Sequence, residues 1–241
     1  MSSVATTAPL VEVQKDAGSK TAVIRMNKLP ANSLNIEFMK QLTAAIVDAE
    51  KDINVKGFIL TSNSQKVFSA GLDLLELSRK DLDIGDFWNS LQELWLTLYG
   101  TKLATVAAVP GSAVAGGCLL ALSCDYRVMA PNFHIGMNET KFGLIAPTWF
   151  QATMVNTVGF RKAERLLAKG ELLGSADALA CGMVDEVVPQ AELLAAADRE
   201  LRALLAVDHE ARGQTKGARR YETLERLRDT RAVDAAWFAQ C

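Results

Sequence analysis

Short apolar runs with no internal alternation recur along this chain, and the stretches between them carry their hydrophobic residues at helical spacing. No other feature narrows the choice of fold as much. Thr21 to Met26, Gly57 to Ser62 and Ala104 to Val109 are such runs. A strand that is apolar on both faces must be covered on both, which points to a mostly parallel sheet flanked by helices. Ile36, Met39, Leu42, Ala45, Ile46 and Ala49 mark one face of an intervening helix, and Phe87, Leu91, Leu94, Trp95 and Leu98 mark a second. After Pro110-Gly111 a small-residue loop leads to a short apolar helix around Cys118 to Ser123, then to strands at Tyr126 to Met129 and near His134 to Gly136. The fold class is α/β.

Past about Pro189 the periodicity becomes purely helical. Leu193, Leu194, Ala197, Leu201, Leu204 and Leu205 form a stripe, and a charged helix is predicted from Thr215 to Arg228. This divides the chain into an α/β core, residues 1–188, and a helical region, residues 189–241. The apolar segment Val233 to Phe238 runs to Cys241 without a helix stop signal, so the last helix is expected to be cut short. Arg219, Arg220, Arg226, Arg228 and Arg231 alternate with Glu222, Glu225 and Asp229, which reads as a solvated helix face.

Composition then excludes several function classes. A formal net charge of −2, from 26 basic and 28 acidic residues, gives no general attraction to nucleic acid. Cys118, Cys124, Cys181 and Cys241 show no C-x-x-C spacing, which fits unpaired thiols in a reducing compartment. His134 and His209 stand far apart without ligating neighbours, so no metal site is expected. No apolar run approaches the roughly 20 residues of a membrane helix. Met1 to Leu10 lacks Arg and Lys and makes a poor transit peptide as it stands.

Three segments can carry chemistry. In Phe68-Ser69-Ala70-Gly71-Leu72-Asp73-Leu74 and in Pro110-Gly111-Ser112-Ala113-Val114-Ala115-Gly116-Gly117-Cys118, small residues stand between a strand and a helix. Main-chain N–H groups there can face developing negative charge. Taken alone, each reads more readily as tight strand-to-helix packing. The second is no phosphate loop, because Gly117 and Cys118 stand where Lys and Ser or Thr would be needed. In the third, Glu139 lies in the largely apolar stretch Gly136 to Pro147, where desolvation would raise its basicity. A helix cap, or an ion pair with Lys141, is the alternative. Ser69 and Ser112 lie in glycine-containing turns but in no G-x-S-x-G elbow.

Taken in this order, the S-A-G-x-D turn, the strand ending in Pro-Gly with its following glycine pair, and the acidic loop resemble the crotonase (enoyl-CoA hydratase/isomerase) superfamily. Ala31-Asn32-Ser33-Leu34-Asn35, Cys124-Asp125-Tyr126-Arg127 and Gly182-Met183-Val184-Asp185 extend the resemblance from about Thr21 through Asp185. It implies a crotonase-like spiral of β-β-α turns, followed by a C-terminal helical oligomerisation region that forms homotrimers, some paired into hexamers. It also implies acyl-CoA ligands, with the thioester oxygen held by the N–H groups of Leu72 and Gly116. Ala70, Gly71, Asp73, Leu74 and Asn138 would line the substrate path.

Two residues after the glycine pair, where similar hydratases carry Glu, this chain has Leu119. That leaves one carboxylate, Glu139, enough for a proton shift within the substrate. Gln92-Glu93-Leu94-Trp95-Leu96-Thr97-Leu98-Tyr99, Asn138-Glu139-Thr140 and Ile145-Ala146-Pro147-Thr148-Trp149 resemble the mitochondrial Δ3,Δ2-enoyl-CoA isomerase branch. The resemblance implies conversion of cis- or trans-3-enoyl-CoA to trans-2-enoyl-CoA in β-oxidation of unsaturated fatty acids. It implies no cofactor and no metal, and it suggests the mitochondrial matrix; Cys241 ends no peroxisomal address of the Ser-Lys-Leu kind. Alternatives are another acyl-CoA enzyme of the superfamily, a hydratase or thioester hydrolase, and an RNA-binding homologue.

Overall fold

Two sheets organise the computed structural model, which describes residues 9–238. Cys241 and the first eight residues lie outside them. Strand β1 (Val11–Asp16) pairs antiparallel with β2 (Thr21–Met26), and helix α1 (Ile36–Lys51) follows. Asn35 caps α1 by accepting the Phe38 N–H at 3.0 Å, which satisfies one of the four donors a helix start leaves open. Next come β3 (Gly57–Ser62), β4 (Val67–Ser69), the single turn α2 (Leu74–Leu77) and α3 (Ile84–Gly100). Strands β5 (Ala104–Val109) and β6 (Ser112–Val114) lead to α4 (Gly116–Ser123), then β7 (Tyr126–Met129) and β8 (His134–Gly136). Helices α5 (Thr148–Val158) and α6 (Phe160–Lys169), strand β9 (Leu173–Gly174), helix α7 (Ser175–Ala180) and strand β10 (Glu186–Val187) precede α8 (Leu193–Leu205) and α9 (His209–Phe238).

The larger sheet has the order β1-β2-β3-β5-β7-β10 and is parallel except for β1; the smaller, β4-β6-β8-β9, is parallel except for β9. Strands β3 and β5 are buried along their whole length, as their uninterrupted apolar composition requires. Their side chains alternate between two cores. Phe58, Leu60, Ala107 and Val109 enter the main core with α1 and α3, whereas Ile59, Ala104, Val106 and Ala108 pack against Leu193, Ala196, Ala197 and Leu201 of α8. The helical stripe beyond Pro189 thus covers the second face of the sheet.

The final helix is longer than its charge pattern predicts, and its arginines do not form a simple solvated face. Arg228 pairs with Glu225 on the surface, as expected, but Arg220 lies over the Tyr99 ring at 4.2 Å and bonds the Ser123 carbonyl at 2.9 Å and Asp125 at 3.1 Å. Lys216 joins Asp125 at 2.9 Å. Burial pushes the Lys216 ammonium down to about 8 against the opposing pull of Asp125. The reason is periodic: Lys216 and Arg220 share the inward face with Leu224 and Leu227, which are buried. The Cys124 to Arg127 and Gly182 to Asp185 segments are tied together in the same region, Arg127 meeting Asp185 at 2.7 Å.

Candidate active site

Main-chain packing builds the first part of the site. Asn32, fully buried with φ 48°, donates its amide to Ser62 Oγ at 2.7 Å and to the Phe68 carbonyl at 2.9 Å, while Ser69 Oγ donates to the Asn32 carbonyl at 2.8 Å. These bonds lock segment 31–35 against segment 68–73. Leu34 then bridges Leu72 as in a parallel sheet: the Leu34 N–H reaches the Gly71 carbonyl at 2.8 Å and the Asp73 N–H reaches the Leu34 carbonyl at 3.0 Å. In that pattern the N–H of the middle residue, Leu72, points away from Leu34.

Gly116 opens α4, so its N–H has no acceptor within the helix. The two donor segments touch: a Cβ on Gly116 would lie 3.8 Å from the carbonyl carbon of Gly71, the atom bonded to the Leu72 nitrogen. Gly117 is required for the same contact, since a Cβ there would stand 2.1 Å from the Ser69 carbonyl oxygen. Ala115, just before the glycine pair, holds φ 52° and ψ −120°, a costly conformation for a residue with a side chain, and its N–H is anchored on the Gly136 carbonyl at 2.9 Å.

Glu139 follows β8 and opens a 3-10 turn, Glu139–Phe142, which Gly143 ends in the left-handed region. Thr140 Oγ1 donates to the Leu167 carbonyl at 2.9 Å and pins the turn to α6. The Glu139 Oε2 atom is buried and has no hydrogen-bond partner, and among the described residues Glu139 forms no ion pair with Lys141. Burial pushes the Glu139 carboxyl above its ordinary value, opposed only by a main-chain hydrogen bond. Its charge reaches α4: burial first, and the Glu139 carboxylate next, push the Cys118 thiol well above the usual thiol range. Glu139 also lines a cavity of about 390 Å³ with Ile145, Ala146, Val155, Phe160 and Leu167 among its walls. One further carboxylate, Glu164, lines this cavity from α6; it is half exposed and held by Arg161.

The remaining residues expected at the site fall close by with varied environments. Gly71 is buried, Ala70 and Leu74 are exposed, and Asp73 caps α2 by accepting the Leu75 and Glu76 N–H groups. Its other oxygen meets Lys28 at 2.7 Å. Burial raises the Asp73 carboxyl, yet the Lys28 bond and the capping N–H groups outweigh it and hold the group below its ordinary value. Asn138 precedes the 3-10 turn and is half-buried, but its side chain does not cap it. Leu119 is fully buried in the main core.

Two features carry no role in the sequence reading. Asn32 stands in a quoted motif, and its part in placing Leu72 follows only from contacts 30 and more residues away along the chain. Asp234 is the other. Its Oδ2 accepts the indole N–H of Trp88 at 2.7 Å, the indole N–H of Trp149 at 3.1 Å and the Gln92 amide at 2.8 Å.

The profile of the family described as Enoyl-CoA hydratase/isomerase matches residues 16–241. The chain is 43% identical over 231 residues to mitochondrial enoyl-CoA delta isomerase 1 of Homo sapiens, covering 95% of this chain and 76% of that protein. It is 40% identical over 227 residues to the Rattus norvegicus protein of that name, covering 93% and 78%. The crystal structure of human mitochondrial delta3-delta2-enoyl-CoA isomerase superposes with a TM-score of 0.94 at 42% identity, covering 96% of this chain and 91% of that one. An enoyl-CoA hydratase from Mycobacterium marinum superposes with a TM-score of 0.87 at 27% identity, covering 95% and 100%.

Proposed function

Because the chain belongs to the enoyl-CoA hydratase/isomerase family, we propose that it is a Δ3,Δ2-enoyl-CoA isomerase that moves the double bond of cis- or trans-3-enoyl-CoA to the trans-2 position, serving β-oxidation of unsaturated fatty acids. The thioester oxygen sits on the N–H groups of Leu72 and Gly116. Glu139 removes a proton from C2, the electron pair delocalises over the diene and the thioester oxygen, and the protonated Glu139 returns the proton at C4. The bond order shifts from C3–C4 to C2–C3 with no net gain or loss of atoms. Each main-chain donor would stabilise the developing oxyanion by about 3 kcal/mol. The chemistry draws on no metal and no redox cofactor; coenzyme A is part of the substrate.

The observation that carries this reading is the buried Oε2 of Glu139, which has no hydrogen-bond partner, in a chain that has the aliphatic Leu119 where similar hydratases carry Glu. Glu164 is what favours a hydratase instead, since it brings a second carboxylate to the cavity. It reaches the cavity from α6 rather than α4, however, and Arg161 holds it. An ultraviolet assay separates the two. Conjugation should appear with 3-hexenoyl-CoA, and 2-hexenoyl-CoA should keep its absorbance; rapid loss of absorbance with the second substrate and none gained with the first would overturn the isomerase.

Ala70, Gly71, Asp73, Leu74 and Asn138 belong to the proposed substrate path. Residues 189–241 are proposed to mediate a homotrimer, alone or paired into a hexamer, an assignment supported by the exposed apolar side chains Leu194, Val207 and Tyr221. Light scattering would test it. The mitochondrial matrix is the proposed compartment, supported by the names of the relatives; among the described residues no helix is long and apolar enough to cross a membrane.

A further inference from the structure

The cavity that holds Glu139 shares a wall with a second. Ile145, Ala146 and Gln151 line both, and the second, of about 450 Å³, is lined from α9 by Arg226, Thr230, Val233 and Asp234. The Gln151 amide is fixed to the Ala146 carbonyl at 2.7 Å, so the shared wall is a built structure. Helix α9 is equally fixed over the chamber: Asp234 holds Trp88, Gln92 and Trp149, whose side chains are almost fully buried, and Phe238 stacks on Trp88 at 3.7 Å. Two large apolar side chains nevertheless stand mostly in water at this place, Ile145 at 64% exposure and Val233 at 71%. An alkyl chain lying along them would remove that surface from water, a gain of about fourfold in affinity per methylene covered.

We infer that the acyl chain of the substrate runs from Glu139 past Ile145 and Ala146 into the chamber under α9, and that Val233 sets how long a chain the enzyme accepts. This rests on the isomerase reading above and adds its selectivity for chain length. Carbons beyond C4 must leave the carboxylate along apolar surface, and the shared wall leads to this chamber.

The test is Val233→Trp, a change at an exposed position, assayed with 3-hexenoyl-CoA and 3-dodecenoyl-CoA. The ratio of kcat/KM for the longer substrate to that for the shorter should fall about tenfold, the scale on which an apolar pocket discriminates. Val233→Ala should leave the ratio equal or higher. An unmoved ratio in Val233→Trp, or an equal loss on both substrates, overturns the inference. A wild-type protein that fails to isomerise 3-hexenoyl-CoA would instead sink the isomerase reading itself.

Discussion

A Cβ on Gly71 would stand 3.0 Å from the main-chain nitrogen of Gly116, so the two donor segments approach as they do only because position 71 has no side chain. Gly71 also holds φ +86°, in the region that side chains disfavour. Gly71→Ala should therefore separate the Leu72 and Gly116 N–H groups. A loss of about 100-fold in kcat is expected, the scale of losing one oxyanion donor. Steady-state kinetics beside a crystal structure of the variant would check both halves; normal turnover with the segments displaced would mean that these donors do not hold the thioester.

Glu139→Gln should lower turnover by at least about 100-fold, the contribution of a general base, while acyl-CoA binding persists. In the wild type the carboxyl is raised by burial. Activity should accordingly fall as the pH drops through that raised value, with a midpoint above the ordinary 4.5. The sign for stability is opposite. A raised folded-state pKa favours the protonated form, so its contribution is complete below the unfolded pKa and lost as pH rises through the folded one. At neutral pH the charged Glu139 weakens the fold, and Glu139→Gln should be more stable by on the order of 1 kcal/mol, or about 2–4 °C in Tm. Scanning calorimetry at pH 7 against pH 4 would reveal this; a lowered Tm at neutral pH would contradict it.

The single-base mechanism separates Glu164 from Glu139. Glu164→Gln should cost less than about tenfold in kcat, well short of the loss at a general base. Leu119→Glu places a carboxylate where none exists and should admit measurable hydration of 2-hexenoyl-CoA. Since Leu119 is fully buried, the variant should also lose about 3–5 kcal/mol of stability from an unpaired buried charge. A 100-fold loss in Glu164→Gln would make the reaction a two-carboxylate one.

Asp234→Ala strands three buried donors, on Trp88, Trp149 and Gln92. A loss of about 2–4 kcal/mol is expected from donors left unsatisfied. Hydrogen exchange should show the end of α9 opening before the rest of the chain. Unchanged protection in α9 would show that apolar packing holds it without the carboxylate.

Chain-local periodicity was enough for the principal strands and for α1 and α3, because apolar residues repeat at 2.0 or 3.6 positions whatever they pack against. The α8 stripe was legible in the same way. The elements β1, α5, α6, α7, β9 and β10 were not; β1, α7, β9 and β10 are short and bury few side chains, so little marks their period. Arg220 was misread as solvated for a related reason: a charged side chain looks alike in sequence whether it faces water or a buried Asp125.

The sequence by itself determined the α/β class, the three segments that carry chemistry and the absence of a carboxylate at Leu119, all of which are local facts of residue type and order. Only the tertiary structure decided that the Gly71 and Gly116 segments touch, that Glu139 buries an Oε2 with no hydrogen-bond partner, and that Asp234 fastens α9. Those are properties of distance and burial, and they arise between residues from 30 to nearly 150 positions apart, where chain order carries no information about who meets whom.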